Sequence, residues 1–259
     1  MSHPPAENTP LRGSTEQFGP LAAEYAHSSY HASGPDLEPM VEAAALTGAE
    51  RVLDVGCGPG HTALRFAPRV QQVVAVDPTD TMLAQGRALA RERGLANLRF
   101  EQASAERLPY PEESFDRVVS RQSAHHWSDV PAAAREIRRV LRGDGLLVLI
   151  DTFAPEDDEL DAFLNRIELL RDPSHVRDRR VSEWTALMAE AAVELEARAS
   201  WELGIEFTSW VRRSRTAEDR VQKLRATLAG ASEPCRAFFR ISPEGDFVLP
   251  YGLVLGRPV

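Results

Sequence analysis

The chain has 259 residues, 43% of them hydrophobic, enough to bury a large core as one α/β unit, and no linker rich in Gly, Pro or Ser divides it. A formal net charge of −9 argues against a general nucleic-acid binder, which needs concentrated positive surface to displace counterions. No apolar run approaches the ~20 residues of a membrane span, and Met1-Ser-His-Pro-Pro5 carries no basic-then-apolar leader, so a cytoplasmic protein is expected.

Residues 1–14, with Pro4, Pro5 and Pro10, are expected to form a disordered tail. Residues 15–259 then make a single domain, opened by amphipathic segments over 15–45 that are placed to act as a lid. Tyr25, Tyr30 and His31 on this lid are candidates to close over a substrate.

The first strand, 51–55, runs into Arg51-Val-Leu-Asp-Val-Gly-Cys-Gly-Pro-Gly60. Its alternating glycines let backbone approach a ligand where a Cβ would collide. A second apolar strand, 73–77, ends in Asp77, 21 positions after Gly56, where a carboxylate can accept from both hydroxyls of a ribose. A dinucleotide fingerprint, Gly-x-Gly-x-x-Gly, fails here: its third glycine is replaced by His61, and Pro59 removes a backbone N–H that a pyrophosphate would use. The loop therefore points to S-adenosylmethionine (SAM), a sulfonium ligand without phosphates. A glycine turn that merely joins strand to helix is the bland alternative, and the paired strand and acid weigh against it.

Further strands are expected at 97–102, 115–120 and 146–151. Between them, Thr79 or Asp80 caps a helix carrying Met82, Leu83, Leu89 and Ala90 that stops at Gly94. A second helix carries Ile137, Val140 and Leu141 before a Gly143-Asp-Gly145 turn. Alternation of strand and helix calls for a parallel sheet with helices on both faces. A helical insertion and cap is expected over 152–195, with core stripes at Leu160, Phe163, Leu164 and Ile167, and at Trp184, Leu187, Met188 and Ala191, the latter capped by Ser182. Thr216 to Asp219 reads as a helix start, and 201–207 and 247–255 as late strands closing the sheet edge antiparallel. Cys57 and Cys235 offer neither a disulfide framework nor a zinc ligand set, and no metal is expected.

Val52 to Gly60, Ala105-Glu-Arg-Leu-Pro-Tyr110, Ser114-Phe-Asp116 and Val140-Leu-Arg-Gly-Asp-Gly145 resemble, in order and spacing, the class I SAM-dependent methyltransferases. Within them the chain is most similar to the small-molecule branch related to ubiquinone and menaquinone biosynthesis enzymes. Uncharacterised bacterial relatives with Tyr-x-x-Ser-x-x-His-x-x-Gly-x-Asp-Leu and Ala-His-His-Phe motifs resemble it more closely still. Here those motifs read Tyr25 to Leu37, one residue shorter before His31, and Ala124-His-His-Trp127. The resemblance implies a Rossmann-like seven-stranded sheet in the order 3-2-1-4-5-7-6 with strand 7 antiparallel.

It also implies cofactor contacts from Asp54, Gly56, Cys57, Gly58 and Gly60, ribose binding by Asp77, and an adenine site at Pro78, Thr79, Ser104, Ala105 and Glu106. Ser104 departs from the family's usual Asp there, a weaker acceptor for the adenine amino group. Arg121 is expected either to neutralise the methionyl carboxylate or an acidic substrate group, or to form a surface salt bridge.

Methyl transfer from SAM leaves S-adenosylhomocysteine (SAH) and needs positioning more than a nucleophile. An acceptor with an ionisable proton also needs a base. His125 and His126, just past the fourth strand where an α/β crevice places its chemistry, are the candidates; His175 in the insertion is a further substrate contact. The expected partner is a small organic acceptor, handled by a monomer or homodimer. An RNA or protein substrate docked on the clusters Arg135 to Arg142 and Arg212 to Arg225, and SAM binding without catalysis, stand as alternatives.

Overall fold

The computed structural model describes residues 13–259, apart from the side chains of Ser29 and Tyr30. The expected tail, except for residues 13 and 14, and the candidate contact from the Tyr30 side chain lie outside the described residues. Seven strands, β1 (Arg51–Val55), β2 (Gln72–Asp77), β3 (Leu98–Gln102), β4 (Phe115–Arg121), β5 (Leu141–Thr152), β6 (Val193–Ile205) and β7 (Phe247–Pro258), form one sheet in the order 3-2-1-4-5-7-6. β1 to β5 are parallel, and β7 runs antiparallel between β5 and β6.

Strand periodicity divides the apolar side chains between two cores. Leu53, Val55, Val74 and Val76 face helices Val130–Val140 and Val181–Glu190, while Val52, Val73 and Ala75 face helices His61–Phe66 and Asp80–Glu92. A third core joins Leu164 and Ile167 of helix Asp158–Arg171 to Phe207, Trp210 and helix Glu218–Ala229. Both insertion stripes thus supply core, as their spacing implies. Because the parallel strands end along one edge, the loops after β1, β2, β4 and β5 converge there.

Four local expectations change. The Gly143-Asp-Gly145 segment lies inside β5 as a bulge, since Phe115 pairs with Leu141 and Arg117 already with Leu146. β6 begins at Val193 and ends at Ile205; Phe207 turns into a helix capped by Glu206, whose carboxylate accepts from Thr208 and Ser209 N–H. Ser182 is no cap: Arg180 precedes that helix, and Ser182 N–H and Oγ–H donate to Glu156. Thr216 likewise lies before the helix cap at Ala217 and gives its hydroxyl to Arg171 O.

Helix Val130–Val140 carries the loop after β4 and is fastened at both levels. Asp129 accepts from Ala132 N–H at 2.9 Å, and Ile137 is fully buried. Asp129→Ala should cost about 1 kcal/mol of unfolding free energy and Ile137→Ala about 2–5 kcal/mol, in that order by urea denaturation; equal costs would contradict this division between cap and core.

Candidate active site

A cavity of about 400 Å³ opens at the carboxyl ends of the parallel strands. On one side lies the glycine turn, with Gly56, Gly58 and Gly60 at φ values of 71°, 53° and 83°. The three glycines are required for different reasons. A Cβ on Gly56 would stand 2.3 Å from Ser123 Oγ, and one on Gly60 would stand 2.5 Å from the Phe100 ring, so these two serve close packing within the protein. A Cβ on Gly58 would meet nothing within 4 Å, so this glycine faces open space at the cavity wall.

Asp77 fastens the turn, accepting from Gly58 N–H at 2.9 Å and from Thr79 N–H at 2.8 Å. Each oxygen keeps a lone pair for a further donor. Burial raises its pKa. Asp54 accepts from Ala63 N–H at 3.0 Å; burial pushes its pKa up to about 7, against that bond and the Arg121 charge.

Across the cavity, Gln122 takes a φ of 53° at the end of β4 and turns the chain into a short helical turn holding His125 and His126. Asp151, 2% exposed at the end of β5, holds this turn: it accepts from Ala124 N–H at 2.9 Å, His125 N–H at 3.3 Å and His125 Nδ1–H at 2.7 Å. From the other side, Val176 N–H and Arg177 N–H donate to His125 O. Trp127 packs edge-on against Trp184 and anchors the loop's exit.

The two imidazoles, with centroids 4.2 Å apart, differ in charge. Burial disfavours the His125 cation, but the Asp151 carboxylate, helped by Asp178 and Glu168, outweighs it and raises the pKa to about 9. Burial and the neighbouring His125 charge lower His126 to about 4, against the pull of Asp172 and of Ser174 O, which accepts from His126 Nδ1–H at 3.0 Å.

A family described as a methyltransferase domain matches residues 53–149. The uncharacterised methyltransferase YcgJ of Bacillus subtilis (strain 168) is 42% identical over 225 residues, 87% of this chain and 89% of that protein. The YcgJ crystal structure superposes with a TM-score of 0.84 at 41% identity, covering 86% of this chain and 98% of its own. This chain belongs to the SAM-dependent methyltransferases. A putative methyltransferase from Bacillus halodurans C-125 is similar at 33% identity and TM-score 0.81, over 87% of this chain and 100% of that one. The ubiquinone/menaquinone biosynthesis C-methyltransferase UbiE of Shewanella frigidimarina (strain NCIMB 400) is 34% identical over 46% of this chain and 49% of its own length.

In this methyltransferase the cavity brings together Gly56, Cys57, Gly58, Asp77, Pro78, Thr79, Ser104, Ala105, Glu106 and Arg121 with Tyr25, His31, His125 and His126. Gly60 and Asp54 are not among its lining residues; they shape the turn from behind. Glu106 is tied to the loop after β4, accepting from Ser128 N–H and Oγ–H. Arg121 is in no surface salt bridge: it is 8% exposed and grips Asp36 with Nε and Nη2, while Nη1 donates to His31 O. His175 is withdrawn, 1% exposed, with Nε2–H donating to Asn165 Oδ1 at 3.2 Å, and does not line the cavity.

Sequence reasoning missed Asp36, Asp151, Asp178 and Glu168, whose proximity is made by contacts between distant segments. Asp151 alone had a signal, its place at the end of a predicted strand. His61, noted only for breaking the dinucleotide pattern, donates Nε2–H to Tyr25 O at 2.9 Å and pins the N-terminal segment to the glycine turn.

The glycines can be separated experimentally. Gly60→Ala should lose about 2–4 kcal/mol of stability from the Phe100 overlap and the left-handed backbone. Gly58→Ala should lose only about 1–2 kcal/mol but most of its SAH affinity. Urea denaturation and calorimetric titration of both variants check this; a Gly58→Ala protein with wild-type affinity would remove that residue from the cofactor site.

Proposed function

We propose that this methyltransferase methylates a small organic acceptor, which enters the end of the cavity between the histidine loop and the insertion. The observation that carries the reading is enclosure: the volume is that of a small-molecule site, and beyond the cofactor residues its walls are Phe18, Tyr25 and His31 of the N-terminal helices and Glu168, Arg171 and Asp178 of the insertion. Part of each arginine cluster is engaged within the protein and is not offered to an RNA or protein substrate. Arg139 is spent on Glu136, Leu108 O and Tyr110 O, Arg220 on Leu169 O and Leu170 O, and Arg225 lies over the Phe207 ring.

SAM supplies the methyl group from its sulfonium carbon. The residues present fit it: open space stands before Gly58, and Asp77 retains acceptor capacity for two ribose hydroxyls. Pro78, Thr79, Ser104 and Ala105 border the adenine in this reading, and Cys57 and Glu106 complete that wall. His125 takes the acceptor's proton, because Asp151 fixes its Nδ1 tautomer, leaves Nε2 for the proton and stabilises the imidazolium that results.

SAM should raise the melting temperature as its concentration passes the dissociation constant, and Asp77→Asn should weaken SAM binding by about tenfold or more by losing an anionic acceptor. Thermal shift and calorimetry test both, and a variant with unchanged affinity would refute the ribose assignment.

The pH profile distinguishes the bases. An imidazole with a pKa raised to about 9 keeps its proton until pH rises through that value, so transfer through His125 should accelerate with pH and level off near 9. Transfer through His126, lowered to about 4, would be flat across the neutral range. With an ionisable acceptor, His125→Ala should slow single-turnover transfer by about a hundredfold with SAM affinity retained; a flat profile together with a fast His125→Ala enzyme would exclude His125.

A further inference from the structure

The acceptor end of the cavity holds more buried carboxylate than nearby donors answer. Asp151, Glu168, Asp172 and Asp178 all line it, and each is less than one-tenth exposed. Three have partners. Asp151 is filled by the histidine loop, Asp172 Oδ1 accepts from Ser174 N–H at 2.8 Å and Oγ–H at 2.7 Å, and Glu168 Oε2 lies 3.6 Å from Arg171 Nη1. The fourth differs: among the described residues, Asp178 Oδ2 is buried with no hydrogen-bond donor. Its neighbour His175 Nε2 stands 4.0 Å away and gives its proton to Asn165 Oδ1.

An acid oxygen buried in this way either takes up a proton or waits for a donor from outside the chain. Burial pushes both Asp178 and Glu168 toward the protonated form, although Arg171 and then His125 draw Glu168 the other way and His125 does so for Asp178. A ligand that brings positive charge and N–H groups of its own removes the penalty at both.

We propose that Asp178, flanked by Glu168, binds an ammonium group of the acceptor, which makes the substrate class a small organic amine. The inference rests on the methyl-transfer reading above and adds the chemistry of recognition. An ammonium ion presents three donors and needs only acceptors opposite it. A hydroxyl offers one donor and no charge. A metal ion is the competing cation, since His125, Asp151 and Asp178 bring ligand atoms within 4.8 Å of one another. Bound through Nδ1, it would have to displace the proton that His125 shares with Asp151 at 2.7 Å, whereas an ammonium group leaves that bond in place.

The test compares n-butylammonium with its neutral counterpart 1-butanol on the SAH-saturated protein, by calorimetry and ligand-observed NMR. Butylammonium should bind more tightly than butanol, and Asp178→Asn should weaken it by about tenfold while SAH affinity and melting temperature hold. Glu168→Gln should weaken it less. Equal binding of amine and alcohol by the wild-type protein overturns the proposal without any variant, and so does an Asp178→Asn protein that binds butylammonium normally. Mn²⁺ titrated alone and followed by electron paramagnetic resonance covers the competing cation: stoichiometric binding that disappears in Asp178→Asn would overturn the amine assignment in favour of a metal. Failure of the wild-type protein to bind SAH would instead strike the underlying reading.

Discussion

The Asp151 carboxylate is the contact on which the site depends. It accepts from Ala124 N–H, His125 N–H, His125 Nδ1–H and its neighbour's Thr152 N–H, all at the end of β5 that follows its buried stretch. Those bonds compensate a charge that burial would otherwise make costly. Beside them Gln122, in the left-handed conformation, donates its N–H to Ile150 O, and Ser123 lies against Gly56, where its Oγ–H donates to Val55 O at 3.1 Å. One anion thereby fixes the histidine loop beside the glycine turn.

A second buried pair secures the N-terminal segment. Arg121 at the end of β4 meets Asp36 in a bidentate pair, and Tyr251 of β7 adds its hydroxyl to the same carboxylate at 3.1 Å. Such a pair is weak evidence for net stability, because desolvation offsets its attraction. Its effect is positional. With His61 holding Tyr25 O, it draws residues ahead of the first strand over the cavity and orients Tyr25 and His31 toward it. Arg121, for which a ligand carboxylate and a surface salt bridge were both expected, pairs instead with a buried carboxylate of its own chain while still lining the cavity.

The electrostatics divide the cavity. Near the glycine turn the acids are few and fastened to backbone N–H groups, a setting that suits an uncharged nucleoside. Beyond His125 the insertion contributes Glu168, Asp172 and Asp178, with Arg171 drawn toward the Trp210 ring and carbonyl. The insertion's own core, through Leu164, Ile167, Trp210 and Leu228, gives these charged groups a rigid base.

The sheet and its glycine turn were legible in the sequence because they are written in short-range patterns. Apolar runs of strand length alternate with helical spacing, Gly56 to Gly60 follow a strand directly, and Asp77 ends the next one. The strand order came with the family resemblance, not from periodicity. Residues 193–200 were missed as strand because their exposed face on the sheet's edge is charged, and Thr216 and Ser182 looked like caps because capping chemistry is common at positions where the backbone does something else. Sequence could nominate His125 and His126 but not tell them apart, since the difference is a carboxylate 26 positions away that bonds one ring and not the other. Likewise Gly58 and Gly60 look alike until Phe100 fills the space before one of them. The sequence by itself determined the sheet's pattern and the glycine turn at the end of its first strand; tertiary packing alone decided which buried charges face each other, because burial and pairing are properties of segments brought together from 36, 121, 151 and 178.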